Sequence, residues 1–301
     1  MPRLALIVLP LMFLACGREP AAPVATPTAD VVVRVPTGGY DIYVYDVRSG
    51  AAIQATAISE AGEFNPSFST NGKAIVHDVV SLFSHDLYVT DVETGVSAPL
   101  AGGDGGNDAD WSPVGLIAFD RAPVGDASVY VVPASGGTRT LVRANAVDPE
   151  WGPDGNHLVV VDTDDGSVRT IDLLSGADHV VAAFGLNPAW SRNGRRIAYS
   201  DGNSIFFIAV DAAGAPVGAP VQLTFDGASV FNQQPSWSNN GETIVFHSNR
   251  GNAVFDFDLW VVPVSGGEPA LLAGTVGEGD FDPAYYGKKL VAFAGFTPPS
   301  P

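Results

Sequence analysis

Apolar positions in the body of this chain do not fall at helical spacing. They come in runs of five to seven residues in which large side chains alternate with small or polar ones, rich in Val, Ile, Tyr and Phe and bounded by Gly, Asn, Asp or Pro. A period of two sends successive side chains to opposite faces of a pleated ribbon, so each run predicts a strand. One run recurs six times behind an aromatic residue: NPSFSTNGKAIVH from Asn65, DADWSPVGLIAF from Asp108, DPEWGPDGNHLVV from Asp148, NPAWSRNGRRIAY from Asn187, QPSWSNNGETIVF from Gln234 and DPAYYGKKLVAF from Asp282. The anchors Phe68, Trp111, Trp151, Trp190, Trp237 and Tyr285 follow one another at intervals of 43, 40, 39, 47 and 48 residues, a period that signals a solenoid, a propeller or an array.

A second run lies between these, also six times: DIYVYDVRSG from Asp41, DLYVTDVETG from Asp86, SVYVVPASGG from Ser128, SVRTIDLLSG from Ser167, SIFFIAVDAAG from Ser204 and DLWVVPVSGG from Asp258. A Gly four residues past the anchor in five copies (Gly72, Gly115, Gly155, Gly194, Gly241) predicts a tight hairpin with positive φ. A weaker run after the second phrase completes four antiparallel strands per repeat. A lone sheet of that kind cannot cover both faces, so copies must stack, and radial stacking gives a six-bladed β-propeller of all-β class. The chain opens on a third and fourth strand (Asp41 to Ser59) and ends on a first and second (Asp282 to Ala294), so the two half-blades are expected to close the ring and hide its edges.

DPEWGPDGNHLVV and NPAWSRNGRRIAY, followed by D-I-Y-V-like strands, resemble the TolB-like propeller repeat family, which is related to the WD repeats; the resemblance covers about residues 40–295. It implies a propeller and leaves function open, since such propellers host binding and catalysis alike. TolB itself carries an additional α/β domain before its propeller, for which this chain has no room.

Composition adds an address. The 301 residues are 46% hydrophobic with a mean hydropathy of +0.17, enough for a large core. Residues 1–15 read as a signal peptide, with an apolar run from Leu4 to Ala15 too short to span a membrane. Phe13-Leu14-Ala15-Cys16 resembles a bacterial lipobox with Phe in place of the usual Leu. Cys16, the only cysteine, is the expected lipidation site, with an ordinary signal peptide and an incidental cysteine as the plainer alternative. Residues 16–39 hold the lipidated cysteine and a linker rich in Pro, Ala and Thr, with Val31 to Val35 a candidate edge strand. Residues 40–296 form the propeller and 297–301 a tail. The expected location is the bacterial cell envelope, lipid-anchored at the outer membrane and facing the periplasm, with the lipid as the only membrane contact.

Charge changes the picture further. A formal net charge of −18 disfavours nucleic acid and anionic membrane surfaces. Acids including Asp104, Asp120, Asp162, Asp201, Asp226 and Glu278 fall in loops assigned to one face. Lys73, Arg192, Arg195, Arg196, Lys288 and Lys289 fall at the opposite hairpins, so the molecule is expected to be electrically two-sided. Three residues before the anchors stand Asn65, Asp108, Asp148, Asn187, Gln234 and Asp282, which closure gathers into a ring at the channel mouth. All six offer acceptor oxygens, which suits a cation or a basic or amide-rich peptide segment; the plainer role is that Asn and Asp before Pro cap the turn that starts the strand.

Other motifs are thinner. DTDDG at Asp162 to Gly166 lacks the spacing of a calcium loop and reads as an acidic turn. The five His residues show no metal spacing, and His77 and His247 fall at second strands, where packing is the simpler role. There is no G-x-S-x-G elbow, and no first strand carries a His of the kind that lines the channel of oligosaccharide-lyase propellers. The reading is a monomeric, non-catalytic scaffold with no cofactor beyond a divalent cation in the channel, binding an envelope protein or a basic peptide through its acidic mouth. The rival is a carbohydrate-active lyase or hydrolase using channel carboxylates, with Asp108, Asp148 and Asp282 as the only strand-lining candidates for an acid and base pair, or a bound metal.

Overall fold

A computed structural model describes residues 39–47, 51–56, 58, 61–82, 84–121, 127–252, 256–273, 280–286 and 290–297. The signal run, Cys16, the linker with Val31–Val35, Glu278, Lys288 and Lys289 lie outside the described residues.

Alternating patterns become 24 strands in six four-stranded sheets, and no described residue is helical. The closing blade takes its outer strands from the N-terminus, β1 (Gly39–Asp46) and β2 (Ala51–Gln54). Blade 1 is β3 (Gly62–Phe68), β4 (Ala74–Val80), β5 (His85–Asp91) and β6 (Ser97–Asp104). Blade 2 is β7 (Gly106–Trp111), β8 (Leu116–Arg121), β9 (Ser128–Pro133) and β10 (Thr140–Ala144). Blade 3 is β11 (Ala146–Trp151), β12 (His157–Asp162), β13 (Val168–Asp172) and β14 (Asp178–Ala182). Blade 4 is β15 (Leu186–Trp190), β16 (Arg196–Ser200), β17 (Ile205–Val210) and β18 (Pro216–Gln222). Blade 5 is β19 (Asn232–Trp237), β20 (Thr243–Ser248), β21 (Asp258–Pro263) and β22 (Ala270–Ala273). The closing blade ends with β23 (Asp280–Tyr286) and β24 (Leu290–Thr297).

Ring closure takes the expected form. The sheet order β2-β1-β24-β23 joins the two chain ends, with β1 and β24 antiparallel from Gly39↔Thr297 to Asp46↔Leu290. The first strands β3, β7, β11, β15, β19 and β23 touch in turn, and β23 returns to β3.

The core is a layered ring. On each second strand the residue opposite the anchor is fully buried: Ile75, Ile117, Leu158, Ile197, Ile244 and Val291. Each such burial contributes about 1.5–3 kcal/mol. Between blades, Trp190 packs against Val159 and Val168 of blade 3, and Trp237 against Ala189 and Ala198 of blade 4. The hairpins use the five glycines as expected, with φ from 66° to 82° at Gly72, Gly115, Gly155, Gly194 and Gly241.

Candidate binding site at the channel mouth

Each first strand breaks its pairing with the second at one place. The register shifts between Phe64 and Ser67, and between the equivalent pairs in every other blade, which is a β-bulge repeated six times. The residue inside each bulge is Asn65, Asp108, Asp148, Asn187, Gln234 or Asp282, with φ between 48° and 52°. They sit within the strand, so they do not cap a turn that starts it. Asn and Asp tolerate this left-handed conformation better than other side-bearing residues, which gives their recurrence a backbone cause. Left-handed residues outside glycine are held only where surroundings over-determine them.

All six line one cavity of about 130 Å³ in the channel. Four of their backbone N–H groups, turned out of the sheet by the bulge, are taken by the preceding blade. Asp108 N–H donates to Asp78 Oδ2 (3.2 Å), Asp148 N–H to Asp120 Oδ1 (3.3 Å), Asn187 N–H to Asp148 Oδ2 (3.0 Å) and Asp282 N–H to His247 Nδ1 (3.2 Å). The side chains of Asn65 and Asn187 are also engaged, donating to Asp78 (2.6 Å) and Asp148 (3.2 Å).

Carboxylates dominate what remains. One oxygen each of Asp108, Asp120 and Asp148 lies within 4.8 Å of the others, a spacing that suits a hard cation held by oxygen ligands. Burial, then the charges of Asp148, Asp78, Asp120 and Asp282, holds Asp108 well above the ordinary carboxylate range. Burial first and neighbouring carboxylates second push Asp120 and Asp282 up to about 7, and burial raises Asp78 and Asp148. Asp78 Oδ1 is buried without a hydrogen-bond partner. The basic groups at hand are His85, with Nε2 3.7 Å from Asp78 Oδ2, His247, with Nδ1 3.7 Å from Asp282 Oδ1, and Arg192, which lines the same cavity and whose charge acts on Asp110 and Glu150. Such an arrangement can be neutralised by protons, by a cation or by a positively charged group.

Sequence reasoning had Asp108, Asp148 and Asp282 as the only channel carboxylates. The structure adds two from the second strands, Asp78 and Asp120, and two from the first strands, Asp110 and Glu150, one residue before their anchors. Asp110 and Glu150 form a lower ring with Ser67 and Ser236. Each accepts the anchor N–H of the next blade: Trp111 to Ser67 (3.1 Å), Trp151 to Asp110 (2.8 Å), Trp190 to Glu150 (3.0 Å) and Tyr285 to Ser236 (3.0 Å). A polar residue before four of six anchors was the available signal.

The two-sided charge distribution needs correction. Arginines neutralise much of the acidic face: Arg121 and Arg139 meet Asp104, Arg143 meets Asp162 and Arg250 meets Asp226. Turns on the opposite face carry their own acids, among them Asp91, Asp172 and Asp211. Negative charge is therefore focused at the mouth rather than spread across one face. The other motifs behave as read: Asp162 to Gly166 is a turn, and His77 and His247 are buried on β4 and β20.

No protein-family model and no curated protein matches the chain. Solved structures do. A putative TolB from Agrobacterium tumefaciens superposes with a TM-score of 0.72 at 19% identity, over 87% of this chain and 99% of that one. The chain has the TolB-like propeller fold. TolB from Acinetobacter baumannii gives 0.61 at 17% identity, over 81% of this chain and 65% of that one. An oligogalacturonate lyase in complex with manganese gives 0.51 at 13% identity, over 87% and 97%. At these identities the likeness is one of fold, so the roles of this TolB-like propeller rest on its own residues.

Proposed function

We propose that this propeller is a non-catalytic, envelope-tethered scaffold that binds a cation, or a basic segment of a partner protein, at its channel mouth. The observation that carries the reading is an imbalance. Among the described residues, arginines pair the peripheral acids, while no arginine or lysine forms an ion pair with Asp78, Asp108, Asp120, Asp148 or Asp282. Crowded carboxylates without a counter-charge stay protonated or take up a positive ligand. The apolar leader and Cys16 support export and lipid anchoring at the outer membrane. Cys16→Ala would then move the protein to the soluble periplasmic fraction.

The rival is a carbohydrate-active enzyme, favoured by one observation: paired carboxyls with raised pKa values. Size argues against it. A cavity of about 130 Å³ falls short of the roughly 300 Å³ at which small-molecule sites begin. Calorimetry of the mature protein with calcium, manganese and a lysine-rich peptide tests the scaffold. Saturable binding supports it, and absence of binding for all three at pH 8 removes it.

A further inference from the structure

The six-fold repeat supplies its own control. Five residues before the anchor, blades 2 to 5 carry Gly106, Ala146, Gly185 and Asn232, and two residues past the buried aliphatic of the second strand they carry Phe119, Val160, Tyr199 and Phe246. The closing blade carries Asp280 and Phe293, so blade 1 alone joins an acid to an imidazole there, Glu63 and His77, both with no exposure to solvent. Blade 1 also receives the N-terminal strands at the seam where the ring closes.

At that seam the polar groups interlock. Thr56 donates its hydroxyl to Glu63 Oε2 and accepts the N–H of Ile42 (2.9 Å). Gln54 Nε2 donates to Asp41 Oδ2 (2.9 Å), a second buried carboxyl whose charge acts on Glu63. On the far side, Glu63 Oε1 lies 3.9 Å from His77 Nδ1, and neither atom has a hydrogen-bond partner. His77 Nε2 meets Thr90 Oγ1 at 2.8 Å, and Thr90 meets Ser97 at 2.6 Å. A carboxyl with no exposure, one oxygen unpartnered and, among the described residues, no cation beside it is costly to ionise, so this seam holds Glu63 with its proton.

We propose that the proton on Glu63 is the clasp of the ring: docking the N-terminal strands takes it up, and losing it loosens β1 and β2 from blade 1. The groups facing the pair are Gln54 from β2, Thr56 and the Ile58 backbone from the segment after it, and His77 from β4. Among the described residues no lysine or arginine forms an ion pair with either carboxyl. Burial pushes Glu63 up to about 8 and Asp41 up to about 6, while burial lowers His77 to about 4, so the imidazole stays neutral and offers no counter-charge. For acids raised on folding, the stabilising form is the protonated one. Closure is thus firmest at mildly acidic pH and weakens as pH rises towards about 8. The device does not depend on what the channel binds.

Hydrogen–deuterium exchange of the full chain at pH 6 and pH 8.5, corrected for intrinsic rates, tests it. Protection of β1 and β2 relative to β12 and β13 should fall about tenfold or more, the worth of one pKa unit, in the wild type. Glu63→Gln, which cannot ionise yet still accepts from Thr56, should keep its protection at both pH values. Glu63→Met, which cannot ionise either, serves as a second variant with the same expectation should Glu63→Gln not fold. Equal protection in the wild type at both pH values, or the same fall in the folded variant, overturns the clasp.

Discussion

Two rings of side chains line the channel, two residues apart on the same six strands, and they divide by how their oxygens are used. In the lower ring, Ser67, Asp110, Glu150 and Ser236 each accept the anchor N–H of the next blade, so these oxygens stitch blade to blade. In the upper ring Asp120 and Asp148 also accept an N–H of the next blade and Asn107 donates to Asp108, yet one oxygen each of Asp108, Asp120 and Asp148 lies within 4.8 Å of the others. Both rings are largely half-buried and both have raised carboxyls, so neither exposure nor pKa separates structure from binding. Crowding does. A carboxyl that meets only hydrogen-bond donors is explained by the fold, and three whose oxygens also crowd one another need something positive.

The largest expected effect breaks the upper ring alone. Changing Asp108, Asp120 and Asp148 together to Asn keeps the acceptors for the Asp148 and Asn187 N–H groups and removes the charge. Affinity for a divalent cation should fall by a hundredfold or more, about 3 kcal/mol, with folding intact. Calorimetry on wild type and variant measures it; unchanged affinity returns the ring to a backbone role.

Next comes Glu150→Ala in the lower ring, which orphans the Trp190 N–H. Leaving a buried donor unpaired costs about 2 kcal/mol, or a fall in melting temperature of about 4 °C or more. Glu150→Gln retains the acceptor and should stay within about 0.5 kcal/mol of the wild type, with cation binding unaffected in both. An equal loss in the Gln variant would mean that the carboxyl's charge, not its acceptor oxygen, holds the blades.

The pH response separates the rings a third way. Acids raised on folding bind more protons in the native state, so stability falls as pH rises from about 4 to about 7, where Asp120 and Asp282 titrate. Cation affinity runs the opposite way, dropping as pH falls through about 7 and those oxygens take up protons. Thermal melts from pH 5 to 8 should slope less steeply in the triple Asn variant, and added cation should flatten the wild type.

Much of this was legible in the sequence, and the illegible parts share a cause. Anchors, glycine hairpins and the six upper-ring positions repeat at a fixed offset, so periodicity alone located the blades, the seam and the ring. Asp78 and Asp120 do not repeat: the aligned second-strand positions elsewhere are Val161, Ser200, His247 and Ala294. Their approach to the mouth depends on the contact between one blade and the next. The arginine pairs that neutralise Asp104, Asp162 and Asp226 likewise join residues 17 to 35 positions apart, such as Arg121 and Arg139 with Asp104. The left-handed φ of the ring was hidden for another reason. A residue before proline is expected to be extended, and it is the bulge imposed by ring packing that overrides this local preference.

The smallest effect sharpens the account of the lower ring. At the position before the anchor, blade 4 and the closing blade carry Ala189 and Ala284, so a side-chain acceptor is not required at every junction. Blade 4 substitutes a different bond: the indole Nε1–H of Trp237 donates to the Ala189 carbonyl at 2.9 Å. Tyr285, the anchor that follows Ser236, has no indole with which to make that replacement. Ser236→Ala should therefore cost about 1 kcal/mol, the worth of one neutral hydrogen bond, and no compensation is at hand. Local hydrogen exchange at the Tyr285 amide reads this more directly than a melt, because one junction in six is touched. Faster exchange there, with the Trp190 amide unchanged, would show that the junctions act independently. Equal acceleration at both amides would show that the lower ring acts as one cooperative unit.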